Sequence, residues 1–104
     1  MYKIKFLDGS EKEFETLVGA NLEYADLSGS NLEGANLKEV NLKDTDLYIA
    51  NLEGANLTGV NLVGADLSGV NLEEANLFEA YLVEANLSAS NFVNANLENA
   101  NLKE

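Results

Sequence analysis

Carboxylates are the residues of this sequence that could do chemistry. The chain of 104 residues carries 18 Asp and Glu against 6 Lys and Arg, with no His and no Cys. Without these two residue types it lacks a side chain that titrates near neutral pH, a thiol nucleophile and any disulfide. Ser28, Ser68 and Ser88 have no lysine beside them in the pattern, and no glycine loop could cradle a phosphate. We therefore expect neither an enzyme nor a cofactor.

The same carboxylates could hold a metal ion or meet a basic partner. Ca²⁺ takes about six to eight oxygen ligands, usually from a loop with acidic residues at fixed positions. No segment follows such a pattern, so we expect no metal site. A formal net charge of −12 also opposes direct binding of nucleic acid, which would need a basic surface.

A five-residue unit positions these side chains. Residues 20–104 contain 17 such units without an insertion, and the N-terminal segment is residues 1–19. The first place of the unit is Ala, Ser, Thr or Val, and the second is Asn or Asp except at Tyr81. The third place is Leu except at Phe92. The third-place residues form the predicted core: Leu22, Leu27, Leu32, Leu37, Leu42, Leu47, Leu52, Leu57, Leu62, Leu67, Leu72, Leu77, Leu82, Leu87, Phe92, Leu97 and Leu102.

A period of five excludes a helix and a flat sheet as ways to bury these leucines. At about 100° per residue, successive leucines would lie about 140° apart around an α-helix and form no stripe. In a straight strand the side-chain period is two, so the leucines would alternate between faces. A chain that turns a corner once per unit, and stacks coil upon coil, can place every fifth side chain inside. The sequence therefore predicts a β-solenoid.

Units such as Ala50–Gly54 and Ala65–Gly69, which read Ala-Asn-Leu-Glu-Gly and Ala-Asp-Leu-Ser-Gly, resemble the repeat of the pentapeptide-repeat family. The resemblance implies an all-β fold, a right-handed quadrilateral β-helix of about four coils with four units in each. It also implies that the first and third places point inward. Small first-place residues agree with a narrow core that larger side chains would overpack. Glycine or asparagine at many fifth places suits corners with positive φ, and the second-place Asn or Asp can bond the local backbone.

The N-terminal segment predicts a β-hairpin. We expect a three-residue loop at residues 8–10, which sets Ile4 opposite Phe14 and Lys5 opposite Glu13. The apolar face of the hairpin, which also includes Phe6, is expected to cap the first coil, and its second strand is expected to continue into that coil.

Nothing comparable follows the last coil, so an end-to-end homodimer through the C-terminal coils is a further hypothesis, since twofold pairing is the commonest homo-oligomer. No apolar run approaches the length of a membrane span and no secretory signal begins the chain. We therefore expect a cytoplasmic protein with no membrane partner.

Two acidic columns result if four units make one coil, because residues 20 apart then stack about 4.8 Å apart. Glu33, Glu53 and Glu73 form one column, hereafter the glutamate ladder, and Asp26, Asp46 and Asp66 form the aspartate ladder. The repeats hold 14 acidic residues and 3 lysines, a net charge of −11. Over about 20 Å this is one charge per about 2 Å, close to duplex DNA. The resemblance implies a matching role, because some members of the family are DNA mimics that bind type II topoisomerases such as gyrase.

A second outward feature is apolar. Phe78, Tyr81 and Val83 lie around one corner, Val63 stacks beside Val83, and Tyr48 with Ile49 is a smaller, separate case. Such residues are either ordinary scattered exposure or a patch for a partner. We therefore carry two hypotheses. The first is a non-enzymatic acidic rod that presents a protein-interaction surface to an unidentified protein, and the alternative is a DNA mimic acting on a type II topoisomerase.

Overall fold

Each five-residue unit folds into one β-turn and one short parallel bridge. In the computed structural model, which describes residues 2–102, the first-place N–H of Ala65 donates to the carbonyl of Leu62, three residues earlier, at 3.0 Å. The bridges join residues 20 apart, as in Asn41 with Asn61 and Asp46 with Asp66. One full revolution of the chain, hereafter a turn of the stack, therefore takes 20 residues, or four units. Each turn of the stack lies on the next through parallel backbone hydrogen bonds.

The fifth place of the unit has positive φ at every corner between residues 19 and 99. Positive φ at the third of four turn residues is the geometry of a type II turn, which favours glycine. Gly54 has φ of 66°, but Ile49, a β-branched residue, has φ of 52°. Only glycine and asparagine were expected from the sequence to take this geometry, yet eight residues of other types share it: Tyr24, Glu39, Asp44, Ile49, Glu74, Glu79, Glu84 and Ala89.

The third-place side chains point inward along the stack. Those that are buried are Leu22, Leu27, Leu37, Leu42, Leu47, Leu52, Leu57, Leu62, Leu67, Leu72, Leu77 and Leu82. Leu32, Leu87, Phe92 and Leu97 are partly buried and pack against this core. Leu102, which the sequence placed in the core, is 51% exposed because no further turn covers it within the described residues.

Small first-place residues fill the space beside the leucines. Val40 and Val60 are buried, and Thr45 is 1% exposed. The Thr45 hydroxyl donates to the carbonyl of Leu22 at 3.0 Å, so this buried polar group is satisfied by a neighbouring turn. The buried side chains of the core are therefore aliphatic, apart from one buried hydroxyl among residues 2–102, which is bonded to backbone.

The N-terminal segment forms a hairpin that joins the stack. Strand β1 (Tyr2–Phe6) pairs antiparallel with β2 (Glu11–Phe14) and also with β3 (Ala25–Asp26), which gives the order β2-β1-β3. The chain continues from β2 into the stack, where Leu17 is buried. Ile4 is also buried, and Phe6 and Phe14 pack against the core.

The predicted register of this hairpin was wrong by two positions. Ile4 lies opposite Lys12 and Lys5 opposite Glu11, instead of Phe14 and Glu13. The loop has three residues as expected, but they are residues 7–9, since Phe6 N–H donates to the Ser10 carbonyl at 2.8 Å. The reason is glycine, because a three-residue hairpin loop requires positive φ at its last place, and Gly9 has φ of 90°.

No helix within residues 2–102 is long and apolar enough to cross a membrane.

Candidate interaction surface

The second-place Asn and Asp side chains are part of the backbone hydrogen-bonding scheme. Asn61 Oδ1 accepts from the N–H of Val63 at 3.0 Å, and Asp66 Oδ1 accepts from the N–H of Ser68 at 2.9 Å. The same Asx bond forms in 15 units. Tyr81 carries no such acceptor. These side chains thus stabilise the corners by local hydrogen bonds to the backbone. Tyr81 cannot play this role, so its presence must have another reason.

The glutamate ladder is assembled by the 20-residue turn. Asn31, Asn51 and Asn71 are bridged in sequence, and each ladder residue follows one of them by two positions. The N–H of Gly34 donates to the carbonyl of Glu53 at 2.8 Å, which holds successive turns in this register. Glu33 is exposed, and Glu53 and Glu73 are half-buried. The three carboxylates therefore run along one wall.

The aspartate ladder lies on another wall, where Asp26, Asp46 and Asp66 are bridged directly. Asp26 Oδ1 accepts from the hydroxyl of Ser28 at 2.8 Å and from its N–H at 3.3 Å. These hydrogen bonds, with a smaller contribution from the charge of Lys5 opposite it in β1, lower the pKa of Asp26. This ladder consists of carboxylates that already accept local hydrogen bonds, so it needs no ligand to explain it.

The apolar residues singled out in the sequence are not equally exposed. Tyr81 is 51% exposed, whereas Phe78, Val83 and Val63 are half-buried. Val63 and Val83 do lie in neighbouring turns, since the N–H that follows Val63 donates to the Val83 carbonyl at 3.0 Å. Tyr48 and Ile49 are 50% and 55% exposed. At this corner only Tyr81 is well exposed, and the other three apolar side chains contribute less surface. The apolar area that a partner could contact is therefore smaller than the sequence suggested.

Tyr81 is grouped with acidic and amide residues instead. The groove beside it, hereafter the tyrosine notch, is lined by Glu39, Gly59, Glu79, Tyr81, Asn99 and Asn101. Phe78 and Val83 lie outside this lining. Glu39 and Gly59 were not predicted from the sequence as neighbours of Tyr81. The 20-residue spacing could have found them, because Glu39, Gly59, Glu79 and Asn99 fall in one fifth-place column.

A second groove, which was not predicted from the sequence, lies where the hairpin loop meets the first turn. Its lining combines the apolar or aromatic residues Phe6, Leu7 and Tyr24 with the acidic residues Asp8 and Glu23. Leu7 is 52% and Tyr24 54% exposed. Within residues 2–102 no group of three or more His, Cys, Asp or Glu side chains could hold a metal ion.

The model for pentapeptide repeats matches this sequence in 8 copies, over residues 17–48, 50–81 and 80–104. The chain belongs to the pentapeptide-repeat family. This confirms the resemblance drawn from the Ala-Asn-Leu units, and the strands and bridges of residues 2–102 agree with the β-helix that the family forms. No protein with curated annotation matches the sequence.

Solved structures of pentapeptide-repeat proteins are similar to this one. The crystal structure of alr5209 from Nostoc PCC 7120 is 39% identical, with a TM-score of 0.74, and the match covers 81% of this chain and 74% of that one. Rfr23 from the cyanobacterium Cyanothece 51142 is 38% identical, with a TM-score of 0.59, and the match covers 88% and 66%. QnrB1, a plasmid-mediated fluoroquinolone resistance protein, is 24% identical with a TM-score of 0.39, over 84% and 50%. This last likeness is too weak to bear on function.

Proposed function

We propose that this pentapeptide-repeat protein is a non-enzymatic, short acidic rod that presents a side-chain surface to a protein partner. The observation that carries the proposal is Tyr81, an exposed aromatic ring at a place that elsewhere holds a hydrogen-bonding Asn or Asp. Tyrosine is enriched among the residues that dominate protein interfaces. The stack beneath it is braced by hydrogen bonds between successive turns, so the ring is displayed on a pre-organised wall.

Affinity capture with matched surface variants tests this function. The wild-type protein, immobilised and exposed to an extract of the cells in which it is native, should retain a partner that is lost from a Phe78→Ser, Tyr81→Asn, Val83→Ser variant. The glutamate-ladder variant, Glu33→Gln, Glu53→Gln, Glu73→Gln, should keep the same partner. Val93→Ser is the control, because Val93 is 57% exposed but belongs to the wall of the glutamate ladder. Equal loss with Val93→Ser, or retention by every variant, would contradict the proposal.

The alternative function is a mimic of duplex DNA that acts on a type II topoisomerase. The glutamate ladder supports it, since stacked turns align like charges along one wall. The longest extent of the protein is 33 Å, so a net charge of −12 gives one charge per about 3 Å. Duplex DNA carries one per about 1.7 Å. The density is therefore below that of DNA, which is why we rank this function second.

A gyrase supercoiling assay at two salt concentrations separates the two functions. A DNA mimic should inhibit supercoiling, less so at high salt, because screening weakens interactions between exposed charges. The inhibition should also disappear in the glutamate-ladder variant. Absence of inhibition at tens of micromolar would discard the mimic and leave the interaction rod.

We further propose that the stacked turns form a right-handed quadrilateral β-helix of about four coils. The four β-turns within each 20 residues of the stack, one in each five-residue unit, support four sides. An experimental crystal structure would show the hand directly, and a left-handed coil would refute this part of the proposal.

An end-to-end homodimer through the C-terminal coils is also proposed. A groove at that end is lined in part by Leu82, Leu87 and Leu102, and Leu102 is 51% exposed. Covering such side chains would remove apolar surface from water. Light scattering should then give twice the chain mass of 11.2 kDa, and Leu102→Glu should return it to the single-chain value. A single-chain mass for the wild type at high concentration would contradict the dimer.

A further inference from the structure

The tyrosine notch departs from the repeat in a way that costs the fold a hydrogen bond. Fifteen other units carry an Asx bond at the place that Tyr81 occupies. The backbone of Tyr81 is nevertheless held in the regular ladder by bridges to Asn61 and Asn101. The ring itself is 51% exposed. The result is an aromatic face on a fixed backbone, which is suited to stacking against a partner group.

The sides of the notch are two carboxylates separated by a glycine. Glu39, Gly59 and Glu79 occupy successive turns of one fifth-place column, so the two glutamates are two strand spacings, or about 10 Å, apart at the backbone. A Cβ at Gly59 would lie 3.4 Å from Cγ of Glu39, so the Glu39 side chain lies against Gly59, which itself contributes no side chain between the two glutamates. Neither glutamate forms an ion pair within residues 2–102.

This combination matches a planar organic cation better than a metal ion. A guanidinium group stacks on the face of a tyrosine ring and donates parallel hydrogen bonds to carboxylates, whereas an ammonium is a compact point charge. Calcium would need about six to eight oxygens, more than two glutamates supply. Both glutamates and Tyr81 line one groove. Charge complementarity and the exposed ring therefore favour arginine as the occupant.

We propose that the tyrosine notch binds an arginine side chain of a partner protein, with the guanidinium stacked on Tyr81 between Glu39 and Glu79. This inference rests on the proposed function as an interaction rod and names the chemistry of the group that the rod recognises.

The test is an NMR titration of the ¹⁵N-labelled protein with three blocked tripeptides, acetyl-Gly-Xaa-Gly-amide, where Xaa is arginine, lysine or citrulline. The arginine peptide should shift the backbone amides of Gly59, Glu79 and Tyr81 most. It should bind at least about threefold more tightly than the lysine peptide, because only the guanidinium is planar and bidentate. The citrulline peptide, which lacks the charge, should cause no localised shift.

Variants then assign the binding to the notch. Tyr81→Asn restores the Asx acceptor, so it should fold normally, and it should weaken the arginine peptide by about two- to fivefold, the range of an exposed cation–π contact. Tyr81→Phe keeps the ring and should bind within about twofold of the wild type. Glu39→Gln with Glu79→Gln should weaken binding by about fivefold or more. The matched control is Glu74→Gln with Glu84→Gln, which removes the same charge from fifth places at other corners and should change binding less than about twofold.

Equal weakening by the control pair, or shifts spread evenly along the acidic walls, would overturn the inference, since binding would then follow net charge alone. A partner that is captured by the wild type and retained in full by Tyr81→Asn and by Glu39→Gln with Glu79→Gln would also overturn it, while leaving the interaction rod in place. If the wild type captures no partner at all, it is the proposed function that fails.

Discussion

The middle of the stack and its C-terminal end are built from the same unit but differ in burial. Leu62 has no exposed surface, whereas Leu97, at the same place of its unit, is only partly buried. The N–H of Leu62 donates to the Tyr81 carbonyl at 2.8 Å, whereas the N–H of Leu97 meets no backbone acceptor within residues 2–102. The unit is the same in both regions, so the difference comes from the neighbouring turn. In this fold the burial of a core leucine therefore depends on the neighbouring turn of the stack, and a single repeat cannot bury its own leucine.

The largest expected effect is the loss of a leucine from the middle of the stack. Leu62→Ala should lower the free energy of unfolding by about 2–5 kcal/mol, because the turns above and below cannot collapse into the cavity. Leu97→Ala should cost less than half as much, since its site is already partly hydrated and can relax. Urea denaturation followed by circular dichroism measures both. Equal costs for the two variants would mean that the end of the stack is as well packed as its middle, and the comparison would fail.

A smaller effect is expected at the N-terminal end, which the hairpin overlies. Ile4 is 5% exposed, so Ile4→Ala should lower the free energy of unfolding by about 2 kcal/mol. Leu7 in the same hairpin is 52% exposed and serves as the control, with Leu7→Ala expected to cost less than about 0.5 kcal/mol. The difference, again from urea denaturation, tests whether the hairpin acts as a cap. If Ile4→Ala were as mild as Leu7→Ala, the two ends of the stack would be equally uncovered.

These contrasts also separate what the sequence could predict from what it could not. The inward leucines, the corner turns and the Asx bonds follow from the five-residue period, because each depends on neighbours within one unit. The hairpin register depends on which loop residue takes positive φ, and the choice of Gly9 as the last loop residue was not recognised. The tyrosine notch depends on residues 20 and 40 apart, so Tyr81 stood out in the sequence while Glu39 and Gly59 did not.

The backbone conformation at the corners also depends on the neighbouring turn of the stack, which the five-residue unit alone does not reveal. A glycine at the fifth place could be interpreted from its own conformational preference, but Ile49 shows that the stacked turns impose positive φ on whatever residue is present. Its N–H donates to the carbonyl of Ser68 at 3.0 Å, and the corner is held by that bond. Interactions between turns thus override the local preference of a β-branched residue.

The third prediction concerns the backbone strain at Ile49, which a glycine would relieve. Ile49→Gly should raise the free energy of unfolding by about 1 kcal/mol, because a left-handed conformation costs an L-residue about 1–2 kcal/mol and part of the gain is offset by lost contact and chain entropy. Ala89→Gly, in the same column at the less covered end, should gain less, since alanine is not β-branched and its turn has fewer neighbours. Urea midpoints compare the two variants. A loss of stability in Ile49→Gly would show that its contact with the Gly69 corner outweighs the strain.

The smallest expected effect lies where the hairpin meets the first turn, and it depends on pH. Hydrogen bonds from Ser28, with a smaller contribution from Lys5, hold the pKa of Asp26 below 3.8 in the folded protein. The unfolded chain binds the proton more readily, so this carboxylate adds stability above that value and the contribution is lost as the pH falls through the folded pKa. Asp26→Asn keeps the Asx acceptor but lacks the charge. The wild type should therefore exceed it slightly in stability at about pH 6, and the two should converge as the pH falls through the lowered pKa of Asp26 in the folded protein.

Lys5→Gln distinguishes the two causes of this shift. If the hydrogen bonds from Ser28 dominate, the difference between Asp and Asn at position 26 should survive in the Lys5→Gln background, only slightly reduced. A difference that vanishes there would assign the shift to the lysine, and so to contact between β1 and the stack. Asp26 and Asn86 lie in the same column, Asp26 at the end covered by the hairpin and Asn86 near the other end. With that outcome the two ends of the stack would differ in the electrostatic contribution to stability as well as in packing. The N-terminal end would then be stabilised by the charge of Lys5 in addition to the pairing of β1 with β3, whereas the C-terminal end has bridges between turns but no ion pair within the described residues.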